Sequence, residues 1–122
     1  MLIDFNNEKP IYIQLAEGLE DAILNEGFSE ETQIPSTTEL SVMYRINPAT
    51  ALKGINMLVE EGIVYKKRGI GMFVATGAKK KILGKRKHSF YDRYILSLLS
   101  EAEKLSIGKA EIIKMIERGY DR

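Results

Sequence analysis

The sequence predicts a mainly α-helical fold with one small β-hairpin, and three observations support this prediction. Apolar residues recur at helical spacing along several stretches of the 122-residue chain. Helix-start signals, at Ser36 and at Asn47-Pro48, precede two of these stretches. Two short apolar runs flank a basic turn that holds Gly69 and Gly71, as in a hairpin. The length fits one compact domain with a small appendage.

The first helix is predicted to begin at Pro10, since proline is tolerated at the first helical position, and to end at Gly27. Residues 28–34 are expected to form a loop. The apolar stripe of this helix consists of Ile11, Leu15, Leu19, Ala22 and Ile23.

A second, short helix is predicted over Thr37–Tyr44. Ser36 and Glu39, three residues apart, form a capping-box pattern in which a hydroxyl and a carboxylate each bond a backbone N–H. Leu40 and Met43 are expected to face the core.

A third helix is predicted to begin at Asn47-Pro48 and to end at Gly62. Its apolar face is expected to contain Leu52, Ile55, Leu58 and Val59. Residues 63–65 and 72–74 then read as two strands joined by a basic turn over residues 67–71.

Three helices followed by a hairpin describe a winged helix-turn-helix. In that architecture the third helix can enter a DNA major groove, and the hairpin reaches the adjacent backbone or minor groove. We predict a winged helix-turn-helix DNA-binding domain over residues 1–76, a basic linker over 77–88 and a two-helix tail over 89–122.

Composition and charge exclude several classes of protein. At 44% hydrophobic residues the chain can bury a core, and it has no cysteine for a disulfide or a thiolate metal site. The single histidine, His88, argues against a zinc cage or a catalytic triad, so no catalytic residue, metal or cofactor is expected. The sequence contains no apolar run near the ~18 residues of a membrane span and no secretory signal, so we expect a cytoplasmic protein.

The near-neutral net charge hides a strong segregation of charges. Residues 1–61 hold three basic and eleven acidic side chains, whereas residues 62–95 hold ten basic side chains and one acidic. Such asymmetry indicates a surface that faces a polyanion. A solvated, lysine-rich linker explains the charges equally well.

Four groups of residues within 8–75 carry a resemblance to one family. They are Pro10 with Tyr12 and Gln14; Pro35-Ser36 with Glu39-Leu40; Leu58 with Glu61-Gly62; and Arg68-Gly69 with Gly71 and Phe73-Val74. On these residues the stretch resembles the DNA-binding domain of the GntR family of bacterial transcriptional regulators. The Asn47-Pro48-x-Thr50 start and the short C-terminal portion are similar to the YtrA branch of that family.

This resemblance implies a homodimer that binds a pseudo-palindromic double-stranded operator, commonly as a repressor. In the YtrA branch the tail is a helical dimerisation segment, and members often regulate operons for ABC transporters. We therefore expect a sequence-specific DNA-binding regulator that represses its own operon, with a transporter operon as the candidate target. Neither the residues nor the resemblance identifies a small-molecule effector.

The resemblance also implies which residues contact DNA. Asn47 and Gly69 have an alternative role, since an N-cap and a tight turn explain them without DNA. Thr38, Pro48 and Leu52 stand where family members commonly have arginine, which removes the usual bidentate contact with guanine. Specificity is then expected to rest on Thr38, Thr50, the wing or DNA shape. The expected DNA-contacting residues are Ser36, Thr37, Thr38, Asn47, Ala49, Thr50, Lys53, Lys67, Arg68 and Gly69.

The tail carries an apolar stripe that is expected to form a dimer interface. A cofactor pocket is the alternative, but so short a tail cannot enclose a ligand and its own core. The residues of this stripe are Phe90, Tyr91, Tyr94, Ile95, Leu98, Leu99, Ala102, Ile113 and Ile116.

The alternatives to a DNA-binding regulator are a sequence-neutral interaction module and an enzyme. The lysines between Lys79 and Lys87 are compatible with a sequence-neutral nucleic-acid or protein-interaction module. An enzyme is not expected, because the sequence offers no nucleophile–base set. His88 and Asp92 lie one helical turn apart but lack a third ligand, so they read as polar surface rather than a metal site.

Overall fold

A computed structural model describes residues 2–122. Along these residues the elements are α1 (Ile11–Leu24), α2 (Thr37–Tyr44), α3 (Pro48–Glu60), β1 (Val64–Lys67), β2 (Gly71–Val74), α4 (Ala78–Phe90), a π-helical turn (Tyr91–Ile95), α5 (Leu96–Lys104) and α6 (Lys109–Tyr120). The chain divides into two compact units, with the boundary between Leu83 and Gly84. The predicted mainly helical fold with one hairpin is confirmed.

The helix starts predicted at Ser36 and Asn47 are both present. Ser36 Oγ accepts a hydrogen bond from the Glu39 N–H, and Glu39 Oε1 accepts one from the Ser36 N–H, both at 3.0 Å. The bond from the Ser36 backbone holds the pKa of Glu39 below its ordinary value of 4.5. Asn47 Oδ1 accepts from the Ala49 N–H at 2.8 Å, so Pro48 begins α3 where its missing N–H costs nothing.

The core of the first unit lies where α1 and α2 pack against α3. Gly54 allows α1 to approach closely, because a Cβ at this position would lie 2.8 Å from the Tyr12 carbonyl oxygen. The fully buried large side chains are Leu15, Leu19, Leu40, Ile55, Leu58, Ile63, Val64, Val74 and Ile82.

Three residues predicted to face the core are exposed instead: Met43 (57%), Leu52 (48%) and Val59 (37%). In α2 the buried residues are Leu40 and the adjacent Ser41, which turns Met43 outward. In α3 two small residues occupy the core side and rotate the larger Leu52 and Val59 to the flanks. The buried face of α3 consists of Ala51, Gly54, Ile55 and Leu58.

The hairpin is supported by a segment that was predicted to be an irregular loop. β1 and β2 pair antiparallel, with Val64 opposite Val74. Gln33 forms a bridge with Phe73 on the free edge of β2, and the Ile34 N–H donates to the Met72 carbonyl at 2.9 Å. A two-stranded hairpin is marginal alone, so this third backbone segment stabilises it.

The basic stretch predicted as a linker, residues 77–88, forms most of α4. Ala78 and Ile82, spaced four residues apart, are fully buried in the first unit, and this spacing is sufficient to fix a helix there. The Gly77 N–H donates to Glu30 Oε1 at 3.0 Å. The linker prediction was therefore wrong about conformation: the lysines dominate the composition and hide the two apolar anchors.

The second unit contains α5 and α6, which are joined by residues 105–108. Ser106 adopts a left-handed φ of 57° in this connection, and the Ile107 N–H donates to the Ala102 carbonyl at 2.9 Å. Ala102 is buried at 6% exposure. An apolar groove between α5 and α6 is lined by Leu99, Ala102, Ile107, Ile112 and Ile113, with Glu103 and Lys109 at its edge.

Candidate nucleic-acid interface

The residues predicted to contact DNA all lie in the first unit, on three elements. Ser36, Thr37 and Thr38 form the start of α2. Asn47, Ala49, Thr50 and Lys53 lie on the cap and the first half of α3, and Lys67, Arg68 and Gly69 lie at the hairpin turn, which we call the wing tip.

The polar groups at the two helix starts are partly used within the protein. Ser36 Oγ and Asn47 Oδ1 accept capping hydrogen bonds, as described above. The cap uses only the oxygen of the Asn47 amide, so its two N–H donors are not consumed by it. Thr38 is exposed, and its carbonyl accepts from Ser41 Oγ at 2.8 Å.

The outward face of α3 has one cation whose position is fixed by an aromatic ring. Lys53 Nζ lies 4.1 Å from the centroid of the Tyr12 ring, which α1 supplies. Cation–π attraction at such a distance favours this placement of the ammonium group. Ala49 and Leu52 are exposed beside Lys53, and Thr50 is half-buried. Sequence reasoning identified Lys53 but missed its contact with Tyr12, which depends on how α1 packs against α3.

The wing tip presents Arg68 on an exposed turn. Gly69 has a φ of 78°, and a Cβ at this glycine would meet nothing within 4 Å, so the backbone conformation rather than crowding requires glycine there. Lys67 Nζ lies 4.3 Å from the centroid of the Phe73 ring on β2. The hairpin thus carries two cations at its outer end.

Two polar side chains of the segment before α2 hold the hairpin. Glu31 accepts hydrogen bonds from the Tyr65 hydroxyl and, at 2.9 and 2.8 Å, from the N–H and hydroxyl of Thr76. The Tyr65 and Thr76 bonds hold the pKa of Glu31 below its ordinary value of 4.5, and the same Glu31 bond raises the pKa of Tyr65 above 10.0. Gln33 Nε2 donates to the Ile70 carbonyl at 3.1 Å. These contacts join residues 34 to 45 positions apart, for which the sequence gives no local signal.

Part of the basic stretch in α4 is neutralised or hydrogen-bonded within the first unit. Lys79 Nζ lies 3.4 Å from Glu26 Oε1, and the Lys79 N–H donates to Glu30. Lys81 Nζ donates to the Gly62 carbonyl at 3.2 Å. These two lysines of the basic stretch therefore make contacts within the first unit.

The residues predicted to form the dimer interface lie in α4, the π-helical turn, α5 and α6, and most are exposed in the single chain. Ala102 differs from the others, since it is buried within the second unit. The Phe90 and Tyr94 rings contact each other with centroids 5.4 Å apart. The exposed members are Phe90, Tyr91, Tyr94, Leu98, Leu99, Ile113 and Ile116, whereas Ile95 is half-buried.

Neither a metal centre nor a membrane span is evident in the part of the chain that the structure describes. No three His, Asp or Glu side chains of residues 2–122 are grouped as metal ligands, and His88 with Asp92 gains no third partner. Over the same residues, no helix has the length and apolar character needed to cross a bilayer.

Comparison with known proteins places this arrangement in a family. The model of the bacterial regulatory proteins of the gntR family matches residues 11–74. The chain is 25% identical over 113 residues to the HTH-type transcriptional regulator YhcF of Bacillus subtilis, covering 93% of this chain and 92% of YhcF. It is 30% identical over 81 residues to the transcriptional repressor YtrA of the same organism, covering 66% of this chain and 62% of YtrA.

Solved structures agree with the sequence comparison. A GntR-family protein from Bacteroides thetaiotaomicron superimposes with a TM-score of 0.74 at 37% identity, over 92% of this chain and 97% of that chain. The DNA-binding domain of AraR in complex with operator ORX1 matches 62% of this chain and 93% of that chain at 28% identity, with a TM-score of 0.55.

The match extends along nearly the full length of some relatives and only part of others. The chain spans 34% of YurK and 31% of NagR, two further regulators of Bacillus subtilis. The relatives are transcriptional regulators and not enzymes, as the sequence predicted. With its hairpin, its capped third helix and the family match over residues 11–74, the chain belongs to the GntR family of DNA-binding bacterial regulatory proteins, with YtrA among its relatives.

Proposed function

We propose that the protein is a dimeric, sequence-specific repressor of its own operon that binds a pseudo-palindromic operator in the cytoplasm. The observation that carries this proposal is the outward face of α3. Its opposite face is buried in the core, while Ala49, Leu52 and Lys53 are exposed. A capped helix with one free face beside a hairpin has the shape that fits a major groove.

Base reading is assigned to the first half of α3. The positive end of the helix dipole and the exposed Lys53 favour an approach to phosphates, and the Thr50 hydroxyl can bond a base edge. Tyr12 favours one position of the Lys53 ammonium group and so lowers the entropy cost of contact. Leu52 is exposed at a position where the resemblance to the GntR family implies arginine, and it offers an apolar contact to a thymine methyl instead of a bond to guanine.

The wing is assigned to the adjacent DNA backbone or minor groove. Lys67 and Arg68 supply cations at its outer end, and Gly69 allows the backbone to come close to a phosphate. Ser36, Thr37 and Thr38 at the start of α2 are assigned to backbone contacts, which fix the register of the protein on the duplex. Asn47 joins them through the amide donors that its cap does not use.

Dimerisation is assigned to the second unit. Its exposed leucine, isoleucine and aromatic side chains recur along the helices and leave apolar surface in water. A second copy with the same surface would cover it through a two-fold interface. The two DNA-binding domains of such a dimer would each bind one half-site of a palindromic operator. The sequence-neutral alternative is weakened because Lys79 and Lys81 are engaged within the protein.

The test is a fluorescence-anisotropy titration of labelled duplex from upstream of this protein's own gene, beside a scrambled duplex, at several salt concentrations. We expect a preference of about 10³ or more that persists at physiological salt. Thr50→Ala should reduce the preference, whereas Ser97→Ala, an exposed change in the second unit, should not. Equal and steeply salt-dependent binding to both duplexes would contradict autoregulation, and random-sequence selection would then locate any other target.

A further inference from the structure

A side chain from outside the hairpin reaches the wing tip. Gln33, which lies just before α2, donates from Nε2 to the Ile70 carbonyl at 3.1 Å, across 37 positions of sequence. Ile70 is also bonded within the turn, since its N–H donates to the Lys67 carbonyl at 3.0 Å. Both backbone polar groups of Ile70, its N–H and its carbonyl, are therefore hydrogen-bonded.

Glycine at position 71 leaves room for the Gln33 amide in the position that it occupies. A Cβ on Gly71 would lie 2.4 Å from Gln33 Nε2 and 3.3 Å from its Cδ. Gly71 also has a φ of 149°, a conformation that side-chain-bearing residues rarely adopt. The Gln33 amide therefore lies directly against the backbone at the point where β2 begins.

The backbone on either side of Gln33 ties the same segment to β2. The Ile34 N–H donates to the Met72 carbonyl at 2.9 Å, and the Val74 N–H donates to the Thr32 carbonyl at 3.0 Å. Gln33 is thus held in register with the hairpin, and its side chain extends from this fixed segment toward the tip. An amide donor on a fixed backbone restricts the turn more than one on a mobile loop would.

We propose that Gln33 is a positioning residue for the wing: by holding the Ile70 carbonyl, it fixes the turn that presents Arg68 and Gly69 to DNA. This inference rests on the proposed function for its DNA step and on the structure for the bracing itself. Without the brace, the turn gains conformational freedom, and binding must then restrict it at an entropic cost.

The experiment uses full-length protein and the duplex that the wild type selects from a random-sequence pool. Gln33→Leu removes the amide donor at similar size. Glu30→Gln is the control, since Glu30 lies on the same segment but bonds Gly77 rather than the turn. The first readout is the NMR order parameter of the Gly69 and Ile70 amides, which requires no DNA. We expect it to fall in Gln33→Leu and to stay unchanged in Glu30→Gln.

The second readout is affinity for the selected duplex, in the wild type and in an Arg68→Ala background. Loss of one hydrogen bond corresponds to a reduction in affinity of at most about fivefold, and we expect Gln33→Leu to cause a smaller reduction in the Arg68→Ala background, where only Gly69 remains to be presented. A purely structural role would lower affinity equally in both backgrounds. That result, or unchanged amide order, would overturn the proposal. If the wild type selects no duplex, the proposed function fails, and the amide order alone decides whether Gln33 braces the turn.

Discussion

The two compact units differ in what they bury. The first closes around a core drawn from α1, α2, α3, the hairpin and the start of α4, and the large side chains of this core have almost no exposure. In the second unit, among residues 84–122, only Ala102 is buried, and the leucines, the aromatic residues, Ile113 and Ile116 of its helices remain exposed.

This difference indicates that the two units reach stability by different routes. The first unit has the buried apolar area that an independently folding domain needs. The second has amphipathic helices whose apolar faces are largely uncovered within residues 84–122, and the proposed association with a second copy would cover and stabilise them. Under the proposed function, the first unit binds DNA and the second unit pairs two copies of the chain. The predictions below test this division of roles.

The largest expected effect is on the first unit. Leu58 is fully buried, so Leu58→Ala should lower the free energy of unfolding by about 2–5 kcal/mol through lost contacts and a cavity. The matched control is Leu105→Ala, because Leu105 is 61% exposed in the second unit. This substitution should lower the free energy of unfolding much less than Leu58→Ala does. Chemical denaturation at a low protein concentration, where the chain is monomeric, measures both. Equal losses would contradict the contrast between the units.

The next effect concerns association. Leu98→Ser removes an exposed leucine from both copies of the proposed interface and should weaken the dimer by about tenfold to a hundredfold. Sedimentation equilibrium measures the dissociation constant, and Lys104→Ser, a polar change on the same helix, is the control. An unchanged dissociation constant for Leu98→Ser would show that Leu98 lies outside the dimer interface.

A smaller effect is expected from pH. The folded chain holds the pKa of Glu31 below 4.5, so the charged carboxylate is favoured by folding. This stabilisation is complete above pH 4.5 and is lost as the pH falls through the folded pKa. Glu31→Gln should therefore make stability less dependent on pH in the acid range below 4.5. Thermal melts between pH 3 and 7 test this, with Glu103→Gln as the control; parallel curves for wild type and Glu31→Gln would contradict the prediction.

The smallest effect concerns the turn between α2 and α3. Arg45 has a φ of 53°, a left-handed conformation that costs a residue with a side chain roughly 1 kcal/mol. Arg45→Gly should relieve this cost and raise stability by less than about 1 kcal/mol, because glycine also gains entropy in the unfolded chain. Arg45→Ala removes the same charge without relieving the backbone, so it should not stabilise. Stabilisation by both would show that charge, not conformation, is responsible.

Local signals in the sequence were sufficient for most of the first unit. The capping box at Ser36 and the Asn47-Pro48 start predict α2 and α3 because the bonds they make lie within three residues. The hairpin follows from its two glycines and short apolar runs. The core faces were predicted less well, since small residues such as Ala51 and Gly54 define the buried side of α3 and carry little hydrophobic signal.

The rest depended on contacts between distant parts of the chain. Glu31 and Gln33 look like ordinary loop residues until the hairpin comes to lie beside them. The same is true of Tyr12, whose ring meets Lys53 only after α1 and α3 pack. In α4, Ala78 and Ile82 are buried by the first unit, and no periodicity is visible among the surrounding lysines.

The measurement that tests the division of labour most directly compares two duplexes of equal length. One carries two copies of the half-site that the wild-type chain selects, related by two-fold symmetry, and the other carries a single copy beside scrambled sequence. Under the proposed dimerisation through the second unit, two DNA-binding domains act together, and the wild type should bind the two-copy duplex about 100-fold more tightly or better. Equal affinity for the two duplexes would mean that each chain reads DNA alone, which contradicts the account.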